Sequence, residues 1–249
     1  MADGVQSLNR ALGILETLAC SSHGLGILEL SQRVKLPAST THRLLSTLGR
    51  KGYVTQLHDE KYLLGHKLIE MGRNFLESSH LIRIVRPYLE AACGETGETT
   101  NLVVLDQDEA FYLDKVECPR ILRVFSRIGH RAPLYCTGAG KVLLTGFSEE
   151  QLKRYLGNTE LRPLTRNTIT STTSLERELA RVRARGFAYD LEECEVGARC
   201  VAVPIRGFMD RVVAALSISG PAMRLRRKEM KKAVRCLLEI NAEVSAKLR

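Results

Sequence analysis

The sequence contains no run of about 18 apolar residues, which excludes an ordinary membrane-spanning helix. It has no basic stretch ahead of its first apolar residues, so its start does not read as a secretion signal. It has no Cys-x-x-Cys pair. The seven cysteines, Cys20, Cys93, Cys118, Cys136, Cys194, Cys200 and Cys236, are scattered and odd in number. That suits free thiols in a reducing cytoplasm better than a disulfide framework. Their spacing, with His130 nearby, matches no common zinc pattern, so neither a metal nor a cofactor is expected. Acidic residues are missing from one stretch altogether: residues 33–51 hold no Asp or Glu, against the five bases Arg33, Lys35, Arg43, Arg50 and Lys51.

What is present is an ordinary globular composition, 44% hydrophobic and 26% charged over 249 residues, enough for two modest domains. The formal net charge of +9 favours a polyanionic partner. Much of that excess lies in the basic run Arg224–Lys232, which precedes apolar residues at helical spacing and reads as the solvated face of a terminal helix.

The first eighty residues carry the clearest pattern. Residues 5–20 have Leu8, Leu12, Leu15 and Leu18 at helical spacing, and residues 27–34 form a second short helix. Lys35-Leu36-Pro37 is a turn, and a third helix over 38–50 stops before Gly52. Two strands, 53–57 and 61–64, follow around the turn His58-Asp59-Glu60. Three helices and a hairpin are the outline of a winged helix-turn-helix. On the third helix Thr41, Leu44, Leu45 and Leu48 face inward, leaving Ser39, Thr40, Arg43, Thr47 and Arg50 outward. Short hydroxyls and arginines suit a phosphate-lined groove: Ser39, Thr40 and Arg43 are placed to meet base edges, and Lys35, Arg50, Lys51 and the wing residue Lys61 to meet phosphates. The alternative is a winged helix used only for protein contact.

The run Leu36-Pro37-Ala38-Ser39-Thr40-Thr41-His42-Arg43-Leu44-Leu45 and the wing end Tyr62-Leu63-Leu64-Gly65 resemble the IclR family of bacterial regulators. So do Thr137-Gly138-Ala139-Gly140-Lys141, Tyr189-Asp190-Leu191-Glu192-Glu193, Gly197–Ile205 and Ala215–Pro221, in that order. Two positions depart from the family pattern: Thr41 replaces a β-branched aliphatic, and Tyr135 replaces a histidine. The resemblance implies an α+β chain. It would have a winged helix over 1–66, a linker helix over 67–80 and a GAF-like effector-binding domain with an antiparallel sheet over 81–249. It also implies a homodimer or homotetramer on a palindromic double-stranded DNA operator, acting as repressor or activator.

In the second part, helices are expected at 84–92, 141–145, 148–156, 174–185 and 223–248, with Ser148/Gln151 and Thr173/Glu176 as capping boxes. Strands are expected at 101–105, 110–117 and 121–126, with a hairpin of 200–206 and 211–219. Backbone N–H groups of Gly138 and Ala139 at a helix start could cradle an anion. Ser217 and Ser219 share a sheet face, and Asp190 and Cys200 interrupt apolar strands. Together these suit a small organic or aromatic acid, with Ile121 and Val124 as an apolar wall. In the resembled family the matching positions, Ala198 included, line the effector site. The plainer alternative is that the serines are satisfied by their neighbours and Cys200 is a small core residue. Gly140-Lys141 is not a phosphate-binding loop, because Tyr135 and Val142 stand where it needs Gly and Ser/Thr. An enzyme with Cys200 or Cys136 as nucleophile, His130 as base and Asp190 as orienter is the rival class.

Overall fold

The computed structural model describes residues 5–124 and 126–248, and it divides into two compact units at residues 79 and 80. The first holds α1 (Gln6–Ala19), α2 (Ile27–Arg33), α3 (Ala38–Arg50), β1 (Val54–Gln56), β2 (Tyr62–Leu64) and α4 (Lys67–Ser78). Its core is Ile14, Leu18, Leu25, Leu30, Leu45 and Val54. The buried face of α1 is therefore the one carrying Ile14 and Leu18; Leu8 and Leu12 of the expected stripe are exposed. Lys35 sits in the left-handed region (φ 53°), which turns the chain sharply between α2 and α3. α3 begins after Pro37, whose carbonyl accepts from the buried Thr41 hydroxyl at 3.2 Å. β1 and β2 pair antiparallel, with Val54 opposite Leu64, and Leu25 adds a bridge to Tyr62. Gly65 has no substitute here: a Cβ would lie 2.1 Å from the Gly52 carbonyl oxygen.

The second unit runs α5 (His80–Thr96), β3 (Thr99–Asp106), β4 (Glu109–Val116), β5 (Arg131–Pro133), α6 (Gly138–Leu144), α7 (Glu149–Asn158) and α8 (Thr172–Arg185). Then come β6 (Ala188–Leu191), β7 (Ala198–Arg206), β8 (Val212–Pro221) and α9 (Arg227–Lys247). The six strands form one antiparallel sheet in the order β5-β4-β3-β8-β7-β6. Alternation sends Leu102, Val201, Val203, Leu216 and Ile218 to one face, under α5 and α9. Val103, Ala110, Ala202 and Ala215 go to the other, under α6, α7 and α8. The central pairing is remote in sequence: Thr99 lies opposite Ser219 and Val103 opposite Ala215.

Three expectations are corrected. Residues 121–124 and Ser126 are not in a strand; the edge partner of β4 is β5, which the residue pattern did not announce. Ile121 and Leu122 lie open to solvent, 99% and 58% exposed, and the segment is held instead by polar ties. Arg123 pairs with Glu117 at 3.1 Å, and the Lys115 ammonium donates to the Ser126 carbonyl. The cap of α8 is Ser171, which accepts from Ser174 N at 3.2 Å, and not Thr173. The terminal helix starts at Arg227, because Arg224 is drawn aside onto buried Glu98, at 2.5 and 2.7 Å. Ser148 and Gln151 do form a capping box, and Gly186 ends α8 at φ 78°. Among the described residues no helix is long and apolar enough to cross a membrane.

Candidate functional site

Two candidate sites are built from these elements, one in each unit. In the first, α3 buries Thr41 and Leu45 and half-buries Leu44 and Leu48. Its helical period then leaves Ser39, Arg43, Thr47 and Arg50 exposed and Thr40 half-exposed. Lys35 and Lys51 are exposed at its two ends. Among the described residues no carboxylate lies within ion-pair distance of Lys35, Arg43, Arg50 or Lys51. Arg33 is engaged by Glu29 at 2.7 Å, and Lys61 in the wing by Asp59 at 2.8 Å. The Thr47 hydroxyl donates back to the Arg43 carbonyl at 3.1 Å, which leaves its lone pairs outward. The face is thus cationic and hydroxyl-bearing, with its charges uncommitted.

In the second unit a cavity of about 110 Å³ opens between the α6 start, the ends of β6 and β7, and the segment after β4. Of the residues singled out from sequence, Val124, Gly138, Ala139, Asp190, Ala198, Cys200 and Ser219 line it. Ser217 stands behind Ser219 and does not reach the wall. Ile121 projects into solvent and is no part of it. Residues not expected in an effector site also line it, among them Tyr112, Ser126, Thr137, Cys194, Arg199 and His130, the base of the rival enzyme reading. Tyr112 was within reach of the sequence, since it stands two residues from the buried Ala110 on the same face of β4.

The α6 start is built for close approach. Thr137 caps it by accepting from Gly140 N at 3.0 Å. A Cβ on Gly138 would sit 3.3 Å from Cys200 Sγ, and one on Gly140 would meet the Leu134 backbone at 2.4 Å. Lys141 does not face the cavity as a phosphate-binding lysine would. It is buried and paired with Glu193 at 2.5 Å. Asp190 accepts from Glu193 N at 2.7 Å. Burial nevertheless pushes its carboxyl up to about 7, against the pull of that hydrogen bond and of Lys141. Burial likewise raises Glu193 in spite of its ion pair. The cavity wall therefore holds a carboxyl that can be neutral near neutral pH and can donate a hydrogen bond.

Cys200 and Cys136, the two thiols weighed as nucleophiles, are unsuited to that chemistry, whereas Cys194 is lowered, chiefly by its hydrogen bond with Cys136. Burial pushes Cys200 up to about 12. Cys136 is pushed up by its hydrogen bond to Cys194 and by burial. A catalytic thiol needs the opposite shift. No group of three or more His, Cys, Asp or Glu is arranged to hold a metal ion among the described residues.

Residues 7–58 match the IclR helix-turn-helix domain, and residues 73–246 match the bacterial transcriptional regulator IclR C-terminal domain. The chain is 40% identical to the transcriptional repressor IclR of Escherichia coli over 89% of its own length and 82% of that protein's. It superposes on the crystal structure of IclR from Thermotoga maritima with a TM-score of 0.83 and 36% identity, covering 97% of this chain and 98% of that one. It also superposes, with a TM-score of 0.86 and 26% identity over 98% and 99% of the two chains, on an IclR homologue from Microbacterium hydrocarbonoxydans solved in complex with 4-hydroxybenzoate. By its helix-turn-helix, its C-terminal domain and its relatives, the chain belongs to the IclR family of bacterial transcriptional regulators.

Proposed function

We propose that the chain binds a palindromic operator as a homodimer or homotetramer in the cytoplasm, and that a small carboxylate in the cavity of the second unit alters that binding. Residues 1–66 would form the DNA-binding domain, 67–80 the connecting helix and 81–249 the effector domain. Ser39, Thr40 and Arg43 would meet base edges, with Thr47 beside them; Lys35, Arg50, Lys51 and Lys61 would meet phosphates. The observation that carries the DNA half is the outward face of α3, whose cations have no acidic partner among the described residues. The ligand half is supported by a cavity where Asp190, with its carboxyl raised by burial, Ser219 and the α6 start converge. The relative holding 4-hydroxybenzoate points to aromatic acids as the first ligands to try.

A ligand shifts DNA affinity only by the difference in its affinity for the DNA-competent and DNA-incompetent states. The test is a gel-shift assay with fragments of the source genome at several salt concentrations, repeated with small aromatic and aliphatic acids. Binding should be salt-sensitive and should change with at least one acid. No salt-sensitive binding to any fragment would overturn the regulator reading. Ligand response left intact by Asp190→Ala would overturn the cavity assignment.

A further inference from the structure

Asn101 lies in the middle of β3 with no solvent exposure. Its amide meets three hydroxyls from two distant parts of the chain. Nδ2 donates to Ser217 Oγ at 3.2 Å and to Ser219 Oγ at 3.3 Å, and Oδ1 accepts from Ser126 Oγ at 2.8 Å. Ser126 and Ser219 both line the cavity, on the segment after β4 and on β8. Counting hydrogens sets the orientation of this amide. Its two N–H groups match two serine oxygens, and its carbonyl matches one hydroxyl donor. Turned over, it would have one N–H too many for Ser126, and that N–H would be buried without a partner, which native structures avoid.

A hydroxyl whose oxygen accepts from Asn101 keeps its own hydrogen for another partner. Cys200 lies beside Ser217 and Ser219: it stands opposite Ser219 across β7 and β8, lines the same cavity, and is favoured in its ionised form by both hydroxyls. Sulfur is a weak acceptor, so a ligand oxygen can displace it. We propose that Asn101 is the specificity-determining residue of the cavity: it fills one of the two lone pairs of Ser219 and so biases that hydroxyl toward donating to the ligand. The cavity then favours a carboxylate or carbonyl oxygen over a cationic donor of the same shape. This rests on the ligand-cavity reading given above.

Asn101→Asp reverses the polarity. The new carboxyl is buried, but the three hydroxyls that face it hold it ionised by donating to it; Ser126, Ser217 and Ser219 then all donate, and Ser219 turns its lone pairs toward the cavity. Full-length protein is titrated calorimetrically with 4-hydroxybenzoate, benzoate and acetate, and with the matched cations 4-hydroxybenzamidine, benzamidine and acetamidine. The unmodified protein should bind a carboxylate in preference to its amidine. Asn101→Asp should lose about tenfold to a hundredfold in carboxylate affinity and gain affinity for the amidine. Ser219→Ala should lose a similar amount, and Asn101→Asp should cost little more in that background. A folded Asn101→Asp protein with unchanged preference, or full additivity of the two substitutions, overturns the inference alone. If Asn101→Asp does not fold, unchanged carboxylate affinity in Ser219→Ala overturns it equally. Unmodified protein that binds none of the six probes overturns the ligand reading and this inference with it.

Discussion

Asp190 is a carboxyl that holds its proton to about pH 7 in the folded chain, against 3.8 for the free side chain. Between those values the folded state binds more protons than the unfolded one. The stabilisation is full below about 3.8 and is lost as pH rises through 7. The melting temperature of the unmodified protein should therefore fall relative to that of Asp190→Asn between pH 5 and 8, and a constant difference would refute the assignment. Behind Asp190, the Lys141–Glu193 pair is buried at 2.5 Å. Glu193→Leu strands the ammonium and should destabilise the second unit by about 3–5 kcal/mol in urea denaturation. Adding Lys141→Met should recover most of that loss, because two apolar side chains then replace two desolvated charges.

Among the elements, α3 was the most legible: its bounds, inner face and outer face follow from the 3.6-residue period and the Pro37 and Gly52 punctuation. The same reasoning failed at 121–126. An apolar run there has the composition of a strand, but whether it pairs depends on which strand lies beside β4, and only the assembled sheet decides that. Ile121 was lost from the cavity for this reason, whereas Val124 still reaches it. Asn101 was passed over because a polar residue in an apolar strand acquires meaning only when Ser217 and Ser219 arrive from more than a hundred residues later. The α3 face makes a divided prediction, read by fluorescence anisotropy on operator DNA. Arg43→Ala should cost about 1–3 kcal/mol and relax base preference at one position. Lys51→Ala should weaken all sequences alike and reduce the salt slope by about one.

At the scale of the whole molecule, each unit closes over its own core. The first has six fully buried apolar residues, and the second has two large clusters on either face of its sheet. Cores of such different size should not melt together. Heating followed by calorimetry should give two transitions, and the lower one should be raised by operator DNA, which binds the first unit. A single transition indifferent to DNA would contradict this division. The sheet of the second unit has a further consequence, set by the pairing of β3 with β8. During synthesis β3 leaves the ribosome long before its partner, and the cavity wall at Ser219 does not exist until the chain has grown past it. The first unit lies within the first 79 residues and closes over a core of its own. At translation rates of about 5–20 residues per second, each new chain thus spends on the order of ten seconds with its helix-turn-helix unit synthesised and its cavity still lacking a wall.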